Sequence, residues 1–225
     1  MEKKRVFTEE ELKDMEGRTL DRLLEAIEGE GAPKAGKLAK RMYAEFLSQH
    51  DVYLSMAAGF INWIYVNHGA EALYQALKET MDPGLEGLLR SYEKADFKRR
   101  VQMMAMGLRG HLQPITVEED DEKVCIKMHP CGSGQRLLES GAYGPPRNLT
   151  LVNKPHLLTY GTTDFPVYCT HAPIMELASI ALLGYPIFVI LPADKMARES
   201  CRYCFYKDPG DIPEEIYKRV GKEKP

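Results

Sequence analysis

The sequence predicts an α+β protein, with a helical N-terminal half packed on a small mixed α/β C-terminal half that carries a Cys/His metal site. Three observations predict it. Apolar residues recur at helical intervals from residue 8 to residue 112, strand-like alternation begins after Pro114, and all five cysteines lie beyond residue 124. The expected domains are residues 1–113, helical, and 114–225, α+β and metal-binding, with a boundary near the acidic run Glu118–Glu122. That run reads as a solvated turn.

Taken in order, Thr8 and Glu11 form a capping box for a first helix, carrying Leu12, Leu20, Leu23, Leu24 and Ile27. The Gly29–Pro33 stretch ends it, and a second helix follows over 34–48 with Leu38, Met42, Phe46 and Leu47 roughly on one face. Asp51 is placed to cap a third, whose stretch 52–66 is apolar nearly all round and so predicts a central helix. Gly69 breaks the pattern before a helix over 71–81, Asp82-Pro83-Gly84 reads as a turn, and further helices fill 85–112. Phe60, Trp63, Met103, Met104 and Met106 are expected in the helix–helix core.

Beyond Pro114, residues 124–128 and 149–153 read as strands. Thr170 is placed to cap a helix that has Pro173 in its first turn and stops at Gly184. Residues 185–191 and 201–206 are further strands, and Asp211 with Glu214 makes a second capping box.

The composition is that of an ordinary globular chain, with 44% hydrophobic and 28% charged residues. A formal charge of -3 gives no electrostatic reason to expect nucleic acid or an anionic membrane as a partner. The first eleven residues lack a signal-peptide core, and the apolar stretch 174–191 is broken by Glu176, Gly184 and Pro186. The expected location is therefore the cytoplasm, with the cysteines reduced. The sequence does not set the oligomeric state.

The chemistry concentrates in three short segments: His129-Pro130-Cys131, Cys169-Thr170-His171 and Cys201-Arg202-Tyr203-Cys204. Thiolate and imidazole at such spacings suit tetrahedral zinc, with iron or cobalt as alternatives. Cys169 and His171, two apart in a segment expected to be extended, share a face. Cys201 and Cys204, three apart on a strand, face opposite ways, so Cys201 is taken as the ligand and Cys204 as a buried small residue. Cys125 sits in an apolar strand and reads as core, and His129 is the weaker partner of Cys131. The expected ligand set is Cys131, Cys169, His171 and Cys201. Glu176 is the expected proton carrier, with Asp164 next. Ser133, Arg136 and Tyr160 are the expected substrate contacts, and the Gly132–Gly134 amides offer an anion cradle.

The segments Cys169-Thr170-His171-Ala172-Pro173, leading into a helix, and Cys201-Arg202-Tyr203-Cys204-Phe205, on a closing strand, resemble bacterial proteins related to L-2-amino-thiazoline-4-carboxylate hydrolases. The likeness covers roughly the final 60 residues. It implies hydrolysis of a C–N or C–S bond in a small heterocycle. The expected function is thus a zinc-dependent hydrolase or lyase acting on a small, anionic organic molecule. The alternatives are a structural zinc site beside a helical half that binds a partner or effector, and a thiol redox sensor built on Cys201 and Cys204.

Overall fold

The computed structural model describes residues 19–111, 113–193 and 199–225, so the capping box at Thr8 lies outside the described residues. The chain is α+β, and its contacts divide it into two units, residues 1–53 and 54–225. In the first unit, α1 (Thr19–Glu25) runs into a π-helical turn (Ala26–Glu30) closed by Gly31 at φ 84°, and α2 starts at Ala32. A positive φ is what the glycine supplies there.

The helix α2 extends over Ala32–Lys94 with non-helical backbone at Gly69 (φ 83°). The predicted break at Gly69 is present and the second helix starts at Ala32, close to the expected Lys34, whereas the predicted start at Asp51 and the turn at Pro83 are absent. Leu77, Leu85 and Leu89 are all buried, and their packing carries the helix through Pro83, so tertiary contact overrides the local turn signal. Helix α3 (Phe97–Arg109) begins at Asp96, whose side chain accepts a hydrogen bond from the Arg99 N–H at 2.7 Å.

In the second unit a four-stranded antiparallel sheet has the order β1-β2-β6-β5, from β1 (Ile115–Glu119), β2 (Lys123–Met128), β5 (Val189–Leu191) and β6 (Arg202–Tyr206). The acidic run is therefore only partly a turn: Glu118 and Glu119 belong to β1, a charged strand at the sheet edge. A second ladder pairs β3 (Leu151–Val152) with β4 (Phe165–Pro166). Between the two sheets' strands lie α4 (Gly134–Glu139) and α5 (Ala172–Leu183). The expected stop of α5 at Gly184 is observed, with φ 85°. Its cap is not Thr170, whose hydroxyl donates instead to the Val167 carbonyl at 2.6 Å. The last helix, α6 (Glu214–Lys218), follows Pro213 and has no side-chain cap, so the box expected of Asp211 does not form.

One face of the four-stranded sheet packs Ile126, Met128, Ile190 and Phe205 into a core shared with Leu73, Leu89, Tyr92 and Met104. On the other, Val189 packs with Ile212, Ile216 and Tyr217. Val189 lies opposite Cys204, and Cys204 opposite Cys125, so the strand parity that separates Cys201 from Cys204 places Cys204 on this second face.

There Cys125 and Cys204 form a disulfide, where reduced thiols were expected. Their Cα atoms are 4.0 Å apart because the β2–β6 register makes them direct partners, a long-range relation the local spacing does not show. The bond closes 79 residues of chain. Since Cys131, Cys169 and Cys201 are free thiols, mild reductant acts on this bond alone. Urea unfolding in reductant is expected to show a stability lower by about 2–4 kcal/mol. An unchanged midpoint would mean that the bond does not form in solution.

No described helix is long and apolar enough to cross a membrane. Phe60, Trp63 and Met106, expected in the core, are exposed, while Met104 is buried.

Candidate functional site

The three free cysteines come from three elements of the second unit. Cys131 precedes α4, Cys169 lies in a 3-10 turn (Val167–His171) between β4 and α5, and Cys201 precedes β6. They neighbour one another: ionising Cys169 is opposed first by burial and then by charge on Cys201 and Cys131, and Cys201 likewise feels Cys131. Burial holds both Cys169 and Cys201 above the ordinary thiol range, so both are neutral thiols at neutral pH. Tyr203 stands beside all three, with burial and then the charges of Cys131, Cys201 and Cys169 raising its phenol. Tyr168 is pushed up to about 12 by burial and by Cys169, against a hydrogen bond with the Ser133 side chain. Tyr143, raised chiefly by burial, also feels Cys169.

Two residues without a ligand's chemistry shape this cluster. Gln135, buried on α4, accepts at Oε1 from the Cys131 N–H (3.1 Å) and from the Ser200 hydroxyl (2.7 Å), which ties the Cys131 loop to the chain leading into Cys201. Nothing in the sequence marks it out except that it lies next to the Cys131 loop. Gly134 makes room for Cys169: a Cβ there would stand 2.5 Å from the Cys169 sulfur. At Gly132 a Cβ would stand 2.6 Å from the His111 Cβ. The two glycines are thus positions of close approach.

His171 does not share an extended face with Cys169, because the segment is a 3-10 turn. Its Nδ1–H donates to the Tyr168 carbonyl at 2.6 Å, and since a carbonyl only accepts, Nε2 is the unprotonated nitrogen of the neutral ring. Burial depresses the His171 imidazole below its ordinary value, against that hydrogen bond. His129 lies elsewhere, exposed, with Nε2 2.9 Å from the Thr116 hydroxyl. Among the described residues, no three His, Cys, Asp or Glu side chains are assembled so as to hold one ion. The four expected ligands are therefore not a preformed shell.

Of the other expected site residues, Ser133 has its hydroxyl 3.5 Å from the Cys131 sulfur. Arg136 lies on α4, half-buried. Asp164 is exposed on its loop with φ 53°. Tyr160 is buried, 3.5 Å by its hydroxyl from Glu176 Oε1, with the Arg219 guanidinium 4.2 Å over its ring. Burial and then the Glu176 charge raise the Tyr160 phenol, Arg219 opposes them, and the charges of Cys201 and Tyr203 add smaller increments.

Glu176 is 0% exposed. Arg219 Nη2 donates to both carboxylate oxygens (2.7 and 2.9 Å), and the Ile190 N–H donates to Oε1 at 2.6 Å. Burial pushes its carboxyl up, while Arg219 and the Ile190 N–H pull it down. With its oxygens engaged in this way, Glu176 anchors α5 to β5 and the C-terminal helix instead of facing a substrate. A cavity of about 220 Å³ lined by Asp82, Glu86, Leu89, Ala178, Ala181 and Leu182 contains none of the expected site residues.

The fold and the cluster together define an α+β protein with three neighbouring half-buried thiols among several tyrosines. No family model, no curated protein and no solved structure matches the chain.

Proposed function

We propose that the protein is a metal-dependent hydrolase or lyase, with zinc as the ion, that acts on a small anionic organic molecule at Cys131, Cys169 and Cys201. The observation that supports this reading is the meeting of three free thiols from three separate segments, while the remaining two cysteines are used in a disulfide. Three thiolates with the fourth position left to water are a donor set of the catalytic kind, whereas His171 joining through Nε2 would close the shell into a structural one. Side-chain rotation has to complete the shell. When bound, the ion would supply Lewis acidity and lower the pKa of a bound water.

The chain's own residues do the rest. Gln135 fixes the Cys131 and Cys201 segments, and Gly134 admits the Cys169 sulfur. The hydroxyls of Ser133 and Tyr168 offer hydrogen bonds to a polar substrate, and Arg136 is the candidate partner for its negative charge. Proton transfer is left to Asp164 on its exposed loop or to a phenol of the cluster, because Glu176 is engaged by Arg219.

Elemental analysis of the full chain, purified without a histidine tag, is expected to show one zinc per chain. Cys131→Ser, Cys169→Ser and Cys201→Ser should each lose it, and paired serines at Cys125 and Cys204 should keep it. L-2-amino-thiazoline-4-carboxylate is the first substrate to assay, and turnover should fall with the metal. A chain that takes up no zinc, cobalt or iron and is equally heat-stable with and without chelator would overturn the reading.

A further inference from the structure

Helix α5 has its polar side turned inward. Of its twelve residues only Glu176 and Ser179 are polar, and both are buried. Its outward side is left to Ala178, Ala181 and Leu182, where a surface helix ordinarily shows charge to water. Beside that side runs the part of α2 from Tyr74 to Leu89, and between them lies the cavity of about 220 Å³. A second cavity of about 80 Å³ shares Asp82, Ala178 and Ala181 with it and continues past Ile174 and Leu177 to Lys78 and Lys222. The two are lobes of one groove, contained in the second unit. Its floor is aliphatic and its charges stand mainly along the α2 rim. Neither lobe is lined by a cysteine, so the groove is independent of the metal reading.

The rim charges are sorted along the groove. Lys78, Asp82 and Glu86 follow one another at steps of four, which puts them on one face of α2. Lys78 Nζ donates to Asp82 Oδ2 at 2.6 Å, which holds that cation at the smaller lobe. Around the larger lobe stand two carboxylates, Asp82 and Glu86, and no Lys or Arg. Among the described residues Glu86 has no ion-pair partner.

We propose that this groove binds a small primary amine with an apolar body, its ammonium between Asp82 and Glu86 and its body over Leu89, Ala178, Ala181 and Leu182. Charge selects the head. An anion placed there would face two carboxylates, while an ammonium supplies the counter-charge that Glu86 lacks. Volume selects the body. Cavities for drug-sized ligands run to roughly 300–1,000 Å³, so this smaller space takes a chain or ring of about six carbons and is too small for a partner's helix. The alanines set the depth, since a larger side chain at Ala178 or Ala181 would fill the floor.

Titration of the full chain with n-hexylammonium chloride at low ionic strength, followed by amide nitrogen–proton correlation spectra, tests this. Saturable shifts at Glu86, Leu89, Ala178, Ala181 and Leu182 are expected. Affinity should rise about fourfold per methylene from butyl- to hexylammonium, as the floor is covered. Added salt should weaken binding. Glu86 is exposed, and glutamine is a good helix former, so Glu86→Gln leaves the fold intact. It should weaken n-hexylammonium about two- to fivefold, the range of an exposed charge pair, and leave n-hexanol unchanged. Ala181→Leu should fill the floor and remove the dependence on chain length. Shifts that do not saturate at millimolar amine, affinity independent of chain length in the parent, or hexanoate bound as tightly as hexylammonium would each overturn the proposal. So would a Glu86→Gln chain that binds the amine as the parent does.

Discussion

Glu176→Ala is expected to cost about 3–5 kcal/mol of stability, because it leaves the Arg219 guanidinium in a low-dielectric site without its counter-charge. The pair is Arg219 Nη2 to Glu176 Oε1 at 2.7 Å, with the side chains 14% and 0% exposed. Arg219→Ala strands the carboxylate instead and should cost a similar amount. Replacing both by leucine or methionine should recover much of the loss, since the price of isolating one charge greatly exceeds the net worth of the intact pair. Urea midpoints of the three variants decide this. A cost under about 1 kcal/mol for Glu176→Ala would mean that water reaches the pair in solution. The effect should extend to the site. Arg219 lies over the Tyr160 ring, and Tyr160 and Cys201 interact electrostatically, so losing the pair should change the rate at which Cys201 is alkylated under native conditions.

What the sequence shows and what it hides divide by distance along the chain. Strands β2 and β6 are legible because alternation within a few residues is enough to mark them, and α5 because Gly184 ends it locally. Strand β1 escapes notice because an edge strand carries the acids that also mark a turn. The Cys125–Cys204 bond and the Glu176–Arg219 pair join residues 79 and 43 apart, and only sheet register and helix docking bring them together. The three cysteines expected as ligands are the three that remain free thiols, and the extended geometry assumed for Cys169 and His171 is a 3-10 turn. Around Phe60 and Trp63 the sequence is apolar on both helix faces, so periodicity cannot say which one the core takes.

The largest pH effect should lie on the alkaline side. Burial raises the phenols of Tyr92, Tyr143, Tyr160, Tyr168 and Tyr203, with Tyr92 and Tyr168 each at about 12, and raises the thiols of Cys169 and Cys201. In the unfolded chain the same groups ionise near their ordinary values, roughly 8.5 for a thiol and 10 for a phenol. Each folded-state value lies above its unfolded one, so the folded chain holds these protons more tightly. The resulting contribution to stability is fully present below the unfolded values and is lost as pH rises through the folded ones. The slope is about 1.4 kcal/mol per pH unit for each proton the unfolded chain has released and the folded chain still holds. With several groups acting together between roughly pH 9 and 11, the loss reaches the ~5–15 kcal/mol that holds a typical domain folded. The protein should therefore unfold cooperatively in that window, and tyrosinate absorbance should appear together with the loss of helical ellipticity. Absorbance that titrates smoothly near pH 10 while the helices persist would show these phenols to be solvated. Zinc offers a second readout, because an ion held by the thiols replaces their protons. Saturating zinc should release protons at neutral pH and reduce the part of the alkaline loss that comes from Cys169 and Cys201, leaving the tyrosine part in place.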